Sequence, residues 1–196
     1  TINQIINNEI NPNSISQNIV NKHLKVLIAG CGTGQHILHT QRYKNDQVTG
    51  IDLSLSSLSY AKRKLKELGI YNIKLIQMDI LQVDLIEEKF DIIESSGVLH
   101  HMDDPLKGLK ALLGVLKNNG FLKLGLYSEL ARQDIIKARR YIRKTKLQPN
   151  VNDIRDFRQK VASGELDELS SLKSIEDFYS LSQCRDLCFH AKEHRL

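Results

Sequence analysis

LKVLIAGCGTGQ, residues 24–35, joins an apolar run to a turn that carries three glycines. The run LKVLIAG at 24–30 has the length and the aliphatic content of a buried strand. Gly30, Gly32 and Gly34 leave the turn without side chains, so that the backbone can bend tightly and lie close to a ligand. A helix after this turn would direct its first amide groups at a carboxylate or a phosphate. The stretch therefore predicts the opening strand of an α/β sheet with a ligand site at its end.

The spacing of these glycines separates two classes of cofactor. A dinucleotide-binding loop of the form GxGxxG would have its third glycine at position 35, where this chain has Gln35; the glycine comes one residue earlier, at Gly34. The GxGxG spacing favours S-adenosylmethionine over NAD, and Gln35 disfavours an NAD-dependent oxidoreductase. Tight turns between a strand and a helix also use glycine for steric reasons alone, so a purely structural role is the alternative.

Four more apolar runs follow the first, separated by amphipathic stretches. The predicted strands are QVTGIDL (47–53), IKLIQMD (73–79), FDIIESS (90–96) and FLKLGLY (121–127). Helical periodicity and end signals predict helices over 55–69, 105–120, 129–146 and 151–164. Alternation of strands and helices over residues 24–127 is typical of an α/β fold, in which helices cover both faces of a parallel sheet.

Two acidic residues end the second and third predicted strands. Asp52 follows the glycine turn by roughly 20 residues, where a carboxylate could accept hydrogen bonds from both ribose hydroxyls of a nucleoside. Asp79 is placed to accept a hydrogen bond from an adenine amino group. Either aspartate could instead cap the helix that follows it. Both lie at the carboxyl ends of parallel strands, however, where open α/β sheets bind ligands.

These segments together resemble the class I S-adenosylmethionine-dependent methyltransferases. The resemblance covers residues 24–128 and is carried, in order, by LIAGCGTGQ, VTGIDLS, LIQMDI, FDIIESSGVLHHMDDP and GFLKLGLYS. It implies a Rossmann-like parallel sheet of strand order 3-2-1-4-5, with S-adenosylmethionine as cofactor and S-adenosylhomocysteine as product. Within the family, the stretch GLYSELARQDI is similar to bacterial methyltransferases of unassigned substrate, some of them fused to tetratricopeptide repeats.

The resemblance also implies cofactor contacts for individual residues. The glycine turn would lie against the methionine part of the cofactor, Asp52 would bind the ribose and Leu53 would pack on the adenosine. Asp79 and Ile80 would contact the adenine, and a serine at the end of the fourth strand would meet the methionine amino group. The predicted cofactor site is Gly30, Cys31, Gly32, Thr33, Gly34, Asp52, Leu53, Asp79, Ile80 and, for the amino group, Ser95 or Ser96.

A pair of histidines supplies the candidate catalytic residues. His100 and His101 follow the fourth strand beside the expected acceptor entry, and either could deprotonate a hydroxyl or an amine near neutral pH. We place His101 ahead of His100; the alternative is that both cap or pack their loop. Methyl transfer needs little acid–base chemistry, because the sulfonium already activates the methyl group, so a catalytic residue is not required. Tyr127 and Ser128 end the fifth strand on the same rim and are candidate substrate contacts.

Three parts are predicted along the chain: an N-terminal helical arm at 1–23, the S-adenosylmethionine-binding domain at 24–128 and a helical extension at 129–196. Members of the family commonly end the sheet with a reversed strand pair after the fifth strand, and no such pair is recognisable here. The chain begins with Thr1 rather than methionine, so we expect a piece of a longer protein whose activity in isolation is open. A non-catalytic adenosylmethionine-binding or scaffold module is therefore the alternative function.

Composition and charge limit the classes of protein to which the chain can belong. The chain is 41% hydrophobic and 26% charged, and it has no apolar run near the roughly 20 residues that span a bilayer. The N-terminus lacks the pattern of a signal peptide, and the three cysteines form no disulfide framework, so a cytoplasmic location is expected. The net charge of +5 is modest and spread over several segments, which favours a solvated basic surface over a nucleic-acid interface.

Two further patterns bear on metals and partners. CRDLCFHAKEH at 184–194 has the residue types of a zinc site, but not the ligand spacing of the common fingers, so no metal is predicted. The basic run over 137–146 could meet RNA, an acidic partner or lipid headgroups, although a solvated helix face is preferred. SSGVLHH also lacks the motif expected of a nucleic-acid amino-methyltransferase. We therefore expect a small-molecule or protein acceptor, with fused tetratricopeptide repeats or a homo-oligomer as further arrangements to test.

Overall fold

The computed structural model describes residues 23–34, 46–189 and 194. The predicted N-terminal arm, apart from residue 23, and the helix expected directly after the glycine turn lie outside the described residues. The chain falls into two compact units, with the boundary between Leu126 and Tyr127.

A five-stranded sheet forms the centre of the first unit. Its strands are β1 (Lys25–Ala29), β2 (Gln47–Asp52), β3 (Ile73–Gln77), β4 (Phe90–Ser96) and β5 (Leu116–Gly125). All neighbouring strands run parallel, in the order β3-β2-β1-β4-β5. The predicted α/β fold and strand order are confirmed. Because the chain changes direction across the sheet between β1 and β4, the carboxyl ends of these strands flank the crevice where open α/β sheets bind ligands.

Short and long helical segments connect the strands of this unit. They are α1 (Leu55–Glu67), α2 (Pro105–Val115) and two 3₁₀ turns, Ile80–Ile86 and Leu99–His101. The hydroxyl of Ser54 caps α1 and the carboxylate of Asp104 caps α2, in each case by accepting hydrogen bonds from backbone amides of the first turn. Both helices therefore begin where the sequence predicts them.

The junction between α2 and β5 differs from the prediction, which continued the helix to Gly120. The helix ends at Val115, and β5 begins at Leu116 in parallel register with Phe90. The residues Asn-Asn-Gly that follow are poor helix formers. Gly120 also lies against β4, since a Cβ there would be 2.9 Å from the carbonyl oxygen of Asp91. Pairing with β4 therefore overrides the helical pattern.

Apolar side chains form one cluster on each face of the sheet, because successive strand residues point to opposite sides. Val26 and Ile28 of β1 belong to the cluster that includes the buried residues of α1. Leu27 and Ala29 belong to the second cluster, which includes the buried residues of α2. All four side chains are almost completely buried. The core thus fixes β1 from both faces and holds the turn that follows it.

The second unit is helical in its described part. Its segments are α3 (Gln133–Thr145), α4 (Val151–Ser163), α5 (Leu181–Cys184), the 3₁₀ turns Leu130–Arg132, Asp167–Ser174 and Glu176–Tyr179, and a π-helical turn, Arg185–Phe189. Phe157 is fully buried at its centre. Between residues 127 and 189, all described, there is no strand, which agrees with the absence of a recognisable reversed strand pair in the sequence.

No helix in the described ranges has both the length and the apolar surface needed to cross a bilayer. Within those same ranges, no group of three or more His, Cys, Asp or Glu side chains is arranged to hold a metal ion. Cys184 and Cys188 are buried in the helical core, while His190 lies outside the described residues.

Candidate functional site

The turn after β1 is tight and is held by the neighbouring strand. The amides of Gly30 and Cys31 both donate to the carbonyl oxygen of Ile51 in β2, at 2.9 and 3.0 Å, and the amide of Gly34 donates to the carbonyl of Cys31 at 3.0 Å. Gly30, Gly32 and Gly34 have φ angles of 77°, 52° and 88°. These lie in the left-handed region that residues with a Cβ rarely adopt. Backbone geometry alone therefore favours glycine at these positions.

Two of the three glycines differ in what surrounds them. A Cβ at Gly30 would lie 2.2 Å from Cγ2 of Val98, so the side chain of Val98 fills the space that Gly30 leaves. A Cβ at Gly32 would have no described atom within 4 Å. Gly30 thus serves packing as well as conformation, whereas the described residues leave the backbone at Gly32 uncovered, where a ligand could approach it.

Asp52, the last residue of β2, holds this turn through its carboxylate. Oδ2 accepts a hydrogen bond from the amide of Gly32, and Oδ1 accepts one from the amide of Ser54, both at 2.8 Å. Ser54, not Asp52, is the residue that caps α1. An ionised carboxylate offers about four lone pairs, so Asp52 keeps acceptor capacity for ligand hydroxyls. The next residue, Leu53, has an apolar side chain that is 68% exposed.

Asp79 follows the neighbouring strand β3 and caps a 3₁₀ turn. Its Oδ1 accepts a hydrogen bond of 2.9 Å from the amide of Leu81. The amide of Met78 donates to the carbonyl of Asp52 at 3.0 Å, so the ends of β2 and β3 are joined directly. The side chain of Ile80 is buried in the core. Capping, the alternative use of Asp79, is thus present in the structure and leaves the remaining lone pairs of its carboxylate for a ligand.

The end of β4 carries the two serines. Ser95 is 2% exposed, and its buried Oγ has no hydrogen-bond partner among the described residues. An unsatisfied buried hydroxyl costs about 1–3 kcal/mol, which a ligand donor or acceptor could offset. Ser96 lies against β5, because a Cβ at Gly125 would be 2.0 Å from its Oγ. Gly97 continues this close approach by donating its amide to the carbonyl of Gly125 at 3.1 Å.

The histidine pair lies on the 3₁₀ turn after β4. His100 is 1% exposed, whereas His101 is only partly buried. Their Nε2 atoms are 3.1 Å apart, which is hydrogen-bonding distance, and the rings meet edge to face with centroids 4.2 Å apart. The packing alternative therefore describes His100 well, while His101 keeps part of its surface accessible.

Cys31 and Thr33, also predicted to lie in the site, differ in exposure: Cys31 is buried and Thr33 is exposed. Cys31 is buried under the sheet, and a Cβ at Gly50 would be 3.1 Å from its Sγ. Burial and, secondly, the carboxylate of Asp52 raise the pKa of the Cys31 thiol to about 12. The thiol is therefore a neutral packing group, and Cys31 can contribute only its backbone to a ligand site. Thr33 is exposed on the turn.

The sheet register brings these segments to one rim. Ala29 pairs with Ile51 and Ile28 pairs with Glu94, so the ends of β1, β2 and β4 are adjacent, and β3 adjoins β2.

Two residues that support the site were not predicted from the sequence. Val98 packs against Gly30 of the glycine turn, and Gly125 allows the end of β5 to lie close to Ser96 at the end of β4. The glycine at position 125 near the end of a strand is the only local signal of such close approach.

Comparison with known proteins finds sequence similarity to methyltransferases within the first unit. Residues 26–120 match the family model described as a methyltransferase domain. The uncharacterised protein syc1184_c of Synechococcus sp. is 34% identical over 57% of this chain and 27% of its own length. The ubiquinone biosynthesis O-methyltransferase of Histophilus somni is 37% identical over 50% of this chain and 42% of its own length.

A solved structure matches a larger part of the chain. PKMT2 of Rickettsia typhi, in complex with AdoHcy, covers 88% of this chain and 36% of its own, with a TM-score of 0.70 and 21% identity. At that identity the likeness concerns the fold. The chain spans less than half the length of the curated relatives named above. The methyltransferase-domain match over residues 26–120 and the parallel sheet of order 3-2-1-4-5 therefore confirm the predicted resemblance to the class I S-adenosylmethionine-dependent methyltransferases.

Proposed function

We propose that this protein binds S-adenosylmethionine at the rim formed by the ends of β1 to β4 and transfers its methyl group to an oxygen, nitrogen or carbon atom of an acceptor. The observation that carries the proposal is the glycine turn held by Asp52. The amides of this turn lie beside a carboxylate at the end of the adjacent strand, and no described atom would lie within 4 Å of a Cβ at Gly32. The names of relatives as O- and N-methyltransferases support the same activity.

Each part of the rim fits one part of the cofactor. The glycine turn offers backbone amides and a surface free of side chains to the methionine carboxylate. Asp52 has free lone pairs for the ribose hydroxyls, and the exposed side chain of Leu53 offers apolar contact to the adenosine. Asp79 and Ile80 are assigned to the adenine. Ser95, whose buried Oγ lacks a partner among the described residues, suits the methionine amino group.

When bound, S-adenosylmethionine supplies a methyl group that its sulfonium has already activated. The residues of the chain then need to hold the acceptor in line with that methyl group and to exclude water. His101 is the assigned base for an acceptor that must lose a proton, because its ring is only partly buried, whereas the ring of His100 is enclosed.

The acceptor is proposed to be a small molecule or a protein side chain. Relatives of known name act in ubiquinone biosynthesis or carry names of alkaloid N-methyltransferases, such as the (S)-coclaurine N-methyltransferase of Papaver somniferum, 34% identical over half of this chain. A cytoplasmic location, and the division into a cofactor-binding domain at 24–128 and a helical extension at 129–196, belong to the same proposal.

A second candidate is a non-catalytic module that binds the cofactor or serves as a scaffold. The described sheet favours it in one respect, since β5 lies at its edge and no described residue after Gly125 forms a strand. Exposed strand edges are usually covered by another element or chain. This alternative predicts cofactor binding without transfer.

The two candidates are separated by incubating the intact protein with methyl-labelled S-adenosylmethionine and fractionated metabolite and protein extracts. Label in an acceptor fraction, lost in the Asp52→Ala variant and kept in an Asp84→Ala control on the exposed surface, supports the methyltransferase. S-Adenosylhomocysteine binding with no transfer to any fraction supports the module. A folded protein that binds neither compound contradicts both.

A further inference from the structure

An apolar groove of about 600 Å³ lies between helix α1 and strand β3, at the edge of the sheet opposite to β5. Its floor consists of four aliphatic side chains that belong to the core of this face or pack against it, Leu65, Ile70, Ile73 and Leu75. Tyr71, which also lines the groove, is 79% exposed. Concave apolar surface with polar groups around it is typical of a binding site.

Strand β3 forms one side of this groove and is the last strand of the sheet. Among the described residues, only β2 pairs with it. Its outer edge therefore carries backbone N–H and C=O groups that are directed away from the sheet. An extended peptide can add to such an edge, and every second side chain of the added strand then lies on the groove side. The edge and the groove together suit a peptide strand better than a compact small molecule.

The side of the groove that α1 contributes is cationic. Lys62, Arg63 and Lys66 line it, and all three are exposed. Arg63 lies 3.7 Å from the carboxylate of Glu67, whereas Lys62 and Lys66 form no ion pair within the described ranges. Lys74, in the middle of β3, is a further exposed cation. A segment that binds along this groove therefore gains from negative charge.

Charge complementarity also distinguishes between possible occupants. Outside the described ranges, the sequence has two acidic residues, Glu9 and Glu193, against five lysines and arginines, so these residues offer no acidic segment. A second copy of the chain would bring the same cationic groove wall, and like charges facing each other across an interface are unfavourable. The aliphatic floor suits inserted side chains and not the phosphates of a nucleic acid, which bind through cations and polar groups. The features together favour an acidic segment of another protein.

We propose that this groove binds an extended acidic segment of a partner protein, which adds to the edge of β3, places aliphatic side chains on the groove floor and directs carboxylates at Lys62 and Lys66. None of the residues that line the groove belongs to the candidate cofactor site. The interaction is therefore independent of the proposed methyl transfer.

Fluorescence anisotropy of the intact protein with labelled peptides tests the proposal. The probe is a peptide in which valine and glutamate alternate over about ten residues, the length of a long strand. One control peptide alternates valine and lysine, and a second has prolines in place of the central valines, which removes backbone donors. We expect the acidic valine peptide alone to bind, with an affinity that falls as salt is added. Absence of binding, or equal binding of the acidic and basic peptides, overturns the proposal.

Charge reversal tests the role of the two lysines. Lys62→Glu combined with Lys66→Glu should weaken binding of the acidic peptide about tenfold and make the basic peptide the preferred one. Arg140→Glu combined with Lys144→Glu changes two exposed cations at the same spacing on α3 and should alter neither affinity. An unchanged preference after reversal, or an equal effect of the control pair, overturns the proposal. If circular dichroism shows that the reversed variant is unfolded, Lys62→Gln combined with Lys66→Gln takes its place, with loss of the preference for the acidic peptide expected.

Hydrogen exchange of β3 separates the proposed partner from other occupants. Amides along the outer edge of residues 73–77 should exchange rapidly in the dilute free protein and slowly once the acidic peptide is bound. Slow exchange of the whole strand in the dilute free protein assigns the edge to the chain itself, and protection that rises with protein concentration assigns it to a second copy. Protection by phosphatidylserine vesicles or single-stranded RNA, but not by the peptide, assigns it to a membrane or a nucleic acid. Each of these results overturns the proposal.

Discussion

Oδ2 of Asp52 accepts a 2.8 Å hydrogen bond from the amide of Gly32, which joins the end of β2 to the turn after β1. The contact sets the carboxylate beside the glycine backbone before any ligand arrives. Charge-assisted hydrogen bonds of this kind are short and strong. The carboxylate of Asp52 therefore both holds the turn and offers acceptor oxygens to a ligand. Its removal should loosen the turn and weaken ligand binding at the same time.

Asp52→Ala should weaken binding of S-adenosylhomocysteine by about 1–3 kcal/mol, because a charge-assisted contact to the ribose is lost. The amide of Gly32 also loses its acceptor, so that part of the loss reflects a looser turn. Isothermal titration calorimetry measures the effect, with Asp84→Ala as a control for removing an exposed carboxylate. Equal affinity in the Asp52 variant and in wild type would remove Asp52 from the site.

Gly30→Ala should mainly reduce the stability of the protein, whereas Gly32→Ala should mainly reduce its affinity for the ligand. Both place a Cβ at positive φ, which costs about 1–2 kcal/mol. Only at position 30 does the new Cβ also meet Val98, at 2.2 Å, which adds about 1–3 kcal/mol of overpacking. Urea denaturation should therefore show the larger loss of unfolding free energy in Gly30→Ala. Gly32→Ala should keep most of its stability and yet lose ligand affinity.

A double variant checks the cause of the Gly30 effect. Val98→Ala removes the methyl groups that the new Cβ would strike, so Gly30→Ala combined with Val98→Ala should recover the overpacking part of the loss. The φ penalty would remain. If the two single losses simply add, the contact between these residues is not the cause.

The Cys31 thiol should resist alkylation while the protein is folded. Its pKa is raised to about 12 by burial and by the Asp52 carboxylate, so almost no thiolate is present at pH 8. Iodoacetamide labelling with peptide mass mapping should find Cys31 unmodified in the native protein and modified in denaturant. Rapid native labelling at Cys31 would contradict the burial described for it.

The same pKa shift predicts an alkaline loss of stability. The folded thiol, with a pKa near 12, binds its proton more tightly than an unfolded thiol at 9.0. The contribution to stability is therefore complete below pH 9 and is lost as the pH rises from 9 through about 12, at no more than roughly 1.4 kcal/mol per pH unit. Cys31→Ala should show a shallower alkaline decline than wild type in urea denaturation series.

Phe157→Ala should destabilise the helical unit by about 3–5 kcal/mol. The ring is fully buried, and its centroid lies 6.1, 6.2 and 5.7 Å from those of Tyr141, Phe178 and Phe189. Hydrogen exchange of α4 amides measures the local loss. Val151→Ala, at an exposed position of the same helix, should change stability by no more than about 0.5 kcal/mol. Similar exchange rates in the two variants would contradict the described core.

The fold could be predicted from the sequence because its signals are local. Apolar runs of strand length, the glycine turn and Asp52 at a strand end are all visible along the chain, and the family resemblance supplied the strand order. The start of β5 was not predictable, since Leu116 extends by pairing with Phe90 far away in sequence. Local propensity predicts helix α2, but it does not predict that the residues from Leu116 onward leave the helical pattern and form β5.

The candidate site was less predictable because much of it depends on long-range packing. Nothing near Gly30 in the sequence indicates that Val98 fills the space above it. Adjacent histidines likewise do not reveal that one ring is enclosed and the other accessible, or that their Nε2 atoms meet. The residue types of the rim could be read from the sequence, whereas their unequal roles came from burial and distance.

The central claim is that the ends of neighbouring parallel strands form a site for one adenosylmethionine-type nucleoside. Calorimetric titration of the intact, folded protein with S-adenosylhomocysteine tests it most directly. We predict saturable binding of one molecule per chain, weakened in Asp52→Ala and preserved in Asp84→Ala. No heat of binding and no rise in melting temperature, in a protein whose circular dichroism shows it to be folded, would contradict the claim.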